Sequence, residues 1–131
     1  MREPTLEIDG WCLEDGEELH LASPETFWIP DQAVRANLKQ GDLAKLIFRI
    51  SIDNAEEPEA VERMWVLVRE VTSSGFFGIL DNDPSSVAYN DEFWSGIEVP
   101  FEARHVINFD ERDENTILLA GRDPSRRWPR D

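Results

Sequence analysis

Cys12, His20 and His105 are the side chains in this sequence best suited to nucleophilic or metal chemistry. A zinc site needs three or four Cys and His ligands at short, recognisable spacings. These three stand far apart, and there is no further Cys or His to complete a set. A Cys–His nucleophile pair is open in principle, joining Cys12 to His20 or to His105. The neighbours of Cys12 argue against it. Glu14, Asp15, Glu17 and Glu18 surround it in sequence, whereas a reactive thiolate needs positive surroundings. The two histidines read as structural or exposed.

The run Asp81-Asn82-Asp83-Pro84 offers oxygen ligands of the kind a calcium loop uses. Asp81 and Asp83 have the first spacing of such a loop, and Glu92 falls at its twelfth position. Ser85 occupies the fifth, however, and the glycine of the sixth is missing. Turn formation by Asx side chains is the better account. Catalytic carboxylate pairs cannot be singled out among 28 acidic residues. The phosphate loop, the G-x-S-x-G elbow and the H-E-x-x-H helix are all absent. No catalytic residue, metal or cofactor is assigned, and the balance falls against an enzyme.

The remaining chemistry is that of recognition. Tyr89, Phe93 and Trp94 lie among Asn90, Asp91 and Glu92, next to the turn at Asp81 and Asp83. Aromatic rings supply contact area and carboxylates steer a basic partner. Asp81, Asp83, Tyr89, Asp91, Glu92, Phe93 and Trp94 are therefore the candidate partner-binding set. The competing reading has the three aromatics capping the open end of a barrel.

Composition sets the frame. The chain has 131 residues, enough for one domain with a real core, and 40% are hydrophobic, including five tryptophans. Its formal net charge is −15. That charge repels phosphate backbones and anionic membranes, keeps the protein soluble and favours basic partners. A single cysteine suits a reducing compartment. The first ten residues hold no apolar run of signal-peptide length, and no stretch approaches the ~18 apolar residues of a membrane span. The expectation is a cytoplasmic protein.

The elements that must position these residues centre on a β-hairpin from Glu62 to Pro84. In its first arm Met64, Val66 and Val68 alternate with Trp65, Leu67 and Arg69. Both sets are largely apolar, so the strand is central and covered on both faces. Thr72-Ser73-Ser74-Gly75 is turn chemistry, with Gly75 free to take a positive φ. Residues 76–80 return, and Gly78 marks a bulge, a bend or a close approach. Trp65, Phe76 and Phe77 are expected in the core.

These residues also resemble a bacterial family, a domain of unknown function whose core pairs an E-x-M-W-V strand with a G-x-L-x-N-x-P turn. Here the matching residues are Glu62, Met64, Trp65 and Val66, then Gly78, Leu80, Asn82 and Pro84. The likeness covers roughly residues 62–107. It implies a compact α+β or barrel fold and lends no catalytic residues.

Upstream, Leu6 and Ile8 alternate with acidic residues, and residues 14–17 look like a turn. Residues 1–22 therefore predict an N-terminal hairpin, attached as an appendage. Ser23-Pro24 reads as the start of a single helical turn. Asp31 opens a short helix burying Ala33, Val34 and Leu38, which Gly41 stops. Residues 42–52 form a nearly apolar strand, followed by an acidic loop at 53–60. Downstream, residues 97–101 make a strand that Pro100 either places at an edge or brings to its end. One helical turn at 102–105 and a short strand at 106–109 follow.

The predicted architecture is mainly β within the α+β class: a small bent SH3-like barrel with one or two short helices, occupying residues 1–109 with its β core at 42–109. Residues 110–131 form a charged tail. Within it 116–120 could dock as an edge strand, on this domain or on a second copy. Arg122, Arg126, Arg127 and Arg130 fold back on the acidic body, pair with the acidic face of a neighbour, or stay disordered.

Three function classes follow. The leading one is a non-enzymatic module that docks a basic protein, similar in character to small acidic immunity proteins that mask a basic toxin surface, or a regulatory module of that kind. The second is an enzyme of unrecognised type using carboxylates near residues 81–92. The third, disfavoured by charge, is nucleic-acid binding through the arginine tail.

Overall fold

A computed structural model describes residues 2–81 and 95–130. Its centre is a curled antiparallel sheet, a half-barrel, with four short α-helices around it. In chain order the elements are α1 (Leu6–Asp9), β1 (Trp11–Leu13), α2 (Gly16–Ala22), α3 (Gln32–Ala36), β2 (Leu43–Ser51), β3 (Glu59–Val71), β4 (Phe76–Leu80), β5 (Glu98–Phe101), a 3-10 turn (Ala103–His105), β6 (Asn108–Asp110) and α4 (Glu114–Ala120). The sheet runs β1-β2-β3-β4-β5, with β6 also on β2. β3 pairs along the full length of β2, and β1 and β6 share the opposite edge, one opposite 48–50 and the other opposite 43–45.

The central hairpin follows its sequence closely. Ala44, Leu46, Phe48 and Ile50 of β2 face Met64, Val66 and Val68 of β3, and these meet Phe76 and Leu80 of β4 and Val99 and Phe101 of β5 in one core. The alternate face of β3 is covered at Leu67, where α4 packs. Opposite Phe77 and Gly78, β3 carries one extra residue, Arg69, between Val68 and Glu70. A bulge of this kind re-aims a side chain, and Arg69 points toward Glu70, Glu98 and Asp123.

Gly78 is a place of close approach. A Cβ there would meet the Leu67 carbonyl oxygen at 3.0 Å and the Phe101 ring at 3.2 Å. Gly75 corrects the expectation of a positive φ, which is found instead at Gly10, Gly41 and Gly96. Its demand is for space, since a Cβ would lie 2.5 Å from the carbonyl oxygen of Phe101. The turn is held by Thr72, whose hydroxyl accepts from the Gly75 N–H at 3.0 Å. Gly75→Ala must push β5 away from the turn. We expect it to cost roughly 2 kcal/mol, as overpacking does, read as a lower urea midpoint with an unchanged slope.

The N-terminal segment differs from the predicted hairpin. Thr5 caps α1 by accepting from the Ile8 N–H at 3.2 Å, and Gly10 ends it at φ 78°. Asp15 is the N-cap of α2, accepting from Glu18 N–H at 3.0 Å, with Glu17 and Glu18 placed favourably in the first turn. Only β1 is extended. It is no appendage, because Trp11 is buried in the core against Phe48 and β1 belongs to the sheet. Ser23 caps the end of α2, and the single turn expected from it forms, with Ser23 O accepting from the Phe27 N–H at 2.8 Å. In α3 the buried residue is Arg35, while Ala33 and Val34 face outward. The helix ends at Asn37, and Gly41 turns the chain into β2.

The C-terminal segment also corrects the sequence reading. Residues 114–120 are helical, started by a reciprocal cap between Asp113 and Thr116. Beyond α4 the chain turns back. Ser125 N–H donates to Gly96 O and Glu98 N–H to Arg126 O, each at 2.8 Å, so the tail lies parallel along the outer edge of β5. Trp128 is buried in the same core as the sheet. Of the three outcomes open to the arginine tail, folding back on its own body is the one adopted.

Candidate functional site

Of the candidate partner-binding set, Asp81 lies within the described residues. Asp83, Tyr89, Asp91, Glu92, Phe93 and Trp94 fall outside them, as does the rest of the calcium-like spacing. Asp81 directly follows β4, where its N–H donates to Trp65 O at 3.0 Å. It borders a groove of about 320 Å3 whose far wall is Leu119, Arg122 and Ser125. Burial pushes its carboxyl pKa up, although the residue as a whole is exposed. Phe76 and Phe77 are buried as expected. Trp65 is half-buried on the outer face with the Lys45 ammonium 5.6 Å from its ring centre.

The three chemically versatile residues sit on separate elements. Cys12 is on β1 opposite Arg49, and burial together with Glu14 pushes its thiol pKa up, which disfavours a nucleophile. His20 is on α2, where its Nδ1–H donates to Phe27 O at 2.6 Å. His105 is buried in the 3-10 turn, and its Nδ1 accepts from the Glu102 N–H at 2.9 Å. Among the described residues no group of three His, Cys, Asp or Glu side chains could hold a metal ion. No helix among them is long and apolar enough to cross a membrane.

Two features emerge that the sequence reading passed over. The first is the seam between β1 and β5, the two outer strands of the half-barrel. Tail residues 125–130 bridge it. Trp128 meets Trp11 edge-on at 5.7 Å between ring centres, and its Nε1–H donates to Arg2 O at 3.1 Å. The Arg2 guanidinium lies 4.3 Å from the Trp128 ring centre and pairs with Asp9 at 2.7 Å. A cleft of about 280 Å3 remains between α1 and the tail.

Glu98 anchors this arrangement. Its side chain is wholly buried, an uncommon state for a carboxylate, and it is correspondingly well partnered. Arg130 donates to both its oxygens, at 2.5 and 2.8 Å, and the Trp128 N–H adds a third bond at 2.8 Å. Burial alone would push its pKa up; the bonds from Arg130 and Trp128 outweigh that and hold it low. Arg130 also lies 3.7 Å over the Phe77 ring and pairs with Glu70 at 3.1 Å. The one signal in the sequence was an acidic residue inside the apolar run of 97–101.

The second feature is an exposed corner between α2 and α3. Trp28 is 66% exposed and Leu21 78% exposed. The exposed carboxylates Glu18, Glu25 and Asp31 belong to the same segment. The backbone presenting Trp28 is held on both sides. Phe27 N–H donates to Ser23 O at 2.8 Å, Phe27 O accepts from His20, and Arg63 lies 5.5 Å from the Phe27 ring centre. Beyond Trp28, buried Arg35 donates to Pro30 O and Ala103 O, each at 2.8 Å, and pairs with Glu17 at 2.6 Å. The sequence signal was a tryptophan in a proline-bounded turn without apolar periodicity.

No protein-family model, curated protein or solved structure matches the chain.

Proposed function

We propose that the chain is a non-catalytic protein-binding module whose acidic surface docks a basic partner. The observation that carries this reading is Trp28, a large exposed ring on a backbone already fixed in place and flanked by carboxylates. A rigid aromatic anchor loses little freedom on binding, and surrounding charges set the encounter rate and the choice of partner. The charge balance supports the same reading. At least seven arginines are committed to ion pairs within the chain: Arg2, Arg35, Arg49, Arg69, Arg104, Arg127 and Arg130. With 28 acidic residues against 13 basic ones, a surplus of carboxylates is left to attract a basic surface.

The aromatic and acidic set at Asp81, Asp83, Tyr89, Asp91, Glu92, Phe93 and Trp94 belongs to this proposal as a second contact region. A cytoplasmic setting, a relationship to the bacterial E-x-M-W-V family and an SH3-like ancestry for the half-barrel belong to it as well. The raised pKa of Asp81 beside a groove is the feature that favours an enzyme. It is a single carboxyl with no base or nucleophile fixed to it among the described residues, so the enzyme reading stays second. The arginine tail is a poor phosphate reader, because Arg127 and Arg130 are already paired with Asp123, Glu70 and Glu98.

The test is affinity capture from the source cells with the full chain, at low and moderate salt, beside Trp28→Ala and Trp94→Ala. The expected result is one stoichiometric basic protein that salt releases and Trp28→Ala fails to hold. Trp28→Ala should itself unfold within ~0.5 kcal/mol of the parent, as surface changes do. Equal capture by both variants and the parent would rule out these aromatic contacts.

A further inference from the structure

We propose that the seam between β1 and β5 also accepts the C-terminal segment of a second copy, giving a dimer in which the two chains exchange residues 125–130. The inference stands apart from the docking reading and rests on how the tail is held. Its contacts are with groups distant in sequence: Gly96 and Glu98 along the strand edge, Trp11 and Arg2 around the indole, Glu70 and Phe77 around Arg130. None of these contacts depends on which chain supplies the tail. Exchange of an identical element re-forms each of these contacts and is a low-cost route to a dimer; what opening breaks lies at the joint, where Arg69 donates to Arg122 O at 3.0 Å and pairs with Asp123 at 3.5 Å.

The joint is suitable. Residues 121–124, Gly-Arg-Asp-Pro, link α4 to the docked segment without regular secondary structure. Fully extended, four residues reach at most ~14 Å. The two copies must therefore meet with their seams side by side about a two-fold axis. Leu118, 75% exposed on the helix that leads into the joint, is placed to be covered in such a pair. Each chain carries −15, so repulsion between copies opposes the dimer and salt should favour it. The buried Arg130–Glu98 pair is screened much less and should survive the same salt.

The exchange can be tested with two full-length variants. Trp128→Ala spoils the tail and keeps the acceptor; Glu98→Leu spoils the acceptor and keeps the tail. Alone, each can form only defective seams. Mixed, taken into urea and returned to high salt at high protein concentration, they can build one intact seam between two chains. Light scattering after gel filtration should show a species of twice the 15.1 kDa chain mass in the mixture and in neither variant alone. A mixture that stays at the monomer mass overturns the proposal, as does a dimer formed equally by each variant alone, which would use another face. If either variant fails to fold, the parent chain taken through the same cycle decides. A dimer that persists on dilution into low salt supports exchange, and a monomer throughout overturns it.

Discussion

Replacing Arg130 with methionine is expected to destabilise the fold by about 3 kcal/mol near neutral pH. The cost arises at Glu98 more than at Arg130. Arg130 is over one-third exposed in its side chain, and Glu98 is not exposed at all. Removing the guanidinium leaves a buried carboxylate with the Trp128 N–H and, 3.7 Å away, Arg69. Breaking one side of a buried pair costs roughly 3–5 kcal/mol, and the remaining partners place this case at the lower end. The pH dependence separates this account from a loss of packing over Phe77. In the parent, the lowered pKa of Glu98 gives stability present above its ordinary value near 4.5 and lost as pH falls through the folded value. In the variant the carboxyl has lost its main stabilising partner, burial dominates, and its folded pKa should rise above the ordinary value. The variant then regains stability as it takes up a proton, so the gap between the two urea midpoints should narrow from pH 7 to pH 5. A gap constant with pH would place the loss in packing. Adding Glu98→Gln should recover part of it at neutral pH, because the buried charge is then gone.

This pair also marks where the sequence stops being legible. The hairpin of β3 and β4 could be read because its signals are local and agree: a long apolar run, a Thr-Ser-Ser-Gly turn and a second apolar run. Alternation in β5 correctly separates Glu98 from Val99 and Phe101, and Pro100, read as marking an edge or a strand end, stands on the edge strand one residue before its end. What covers Glu98 comes from 30 residues further on, and no local pattern announces a contact of that span. The composition of the tail, four arginines among prolines, leaves docking and disorder both open; Trp128 decides between them by completing the core.

The other misreadings have local causes. Leu6 and Ile8 alternate as a strand would, but Thr5 and Gly10 bracket the four residues between them with a cap and a stop, and the capped turn wins. The short apolar island at 116–120 suggests an edge strand, while the reciprocal cap of Asp113 and Thr116 starts a helix. Both caps are present in the sequence, and neither alternation over Leu6 and Ile8 nor an apolar island of five residues is long enough to outweigh them. The candidate site was legible in its chemistry more than in its place. The sequence places aromatic rings among carboxylates at 89–94, and the described structure presents the same combination at Trp28. Exposure of a tryptophan depends on what packs over it, and residue type alone points the other way.

The second large effect should come from His105. The folded state holds its pKa at about 4, against an ordinary 6.5, through burial first and the charge of Arg104 second. Glu3, Asp15 and Glu17 pull the other way and lose. A depressed histidine pKa means that between pH 4 and 6.5 the unfolded chain carries a proton the folded chain refuses. Stability from this group is therefore complete above about 6.5 and falls away as pH drops toward 4. A shift of that size corresponds to on the order of 3 kcal/mol. Reduced self-repulsion works in the opposite sense, since the −15 charge shrinks as pH approaches the pI near 4.4. The parent profile alone would blend the two. His105→Gln removes the titration, keeps the overall charge at neutral pH and retains an oxygen that can accept from Glu102 N–H. Subtracting its urea midpoints from those of the parent should leave a slope confined to pH 4–6.5 and a flat difference above it. A difference independent of pH across that window would mean that the folded protein protonates His105 as readily as the unfolded chain does, and that the 3-10 turn opens to water.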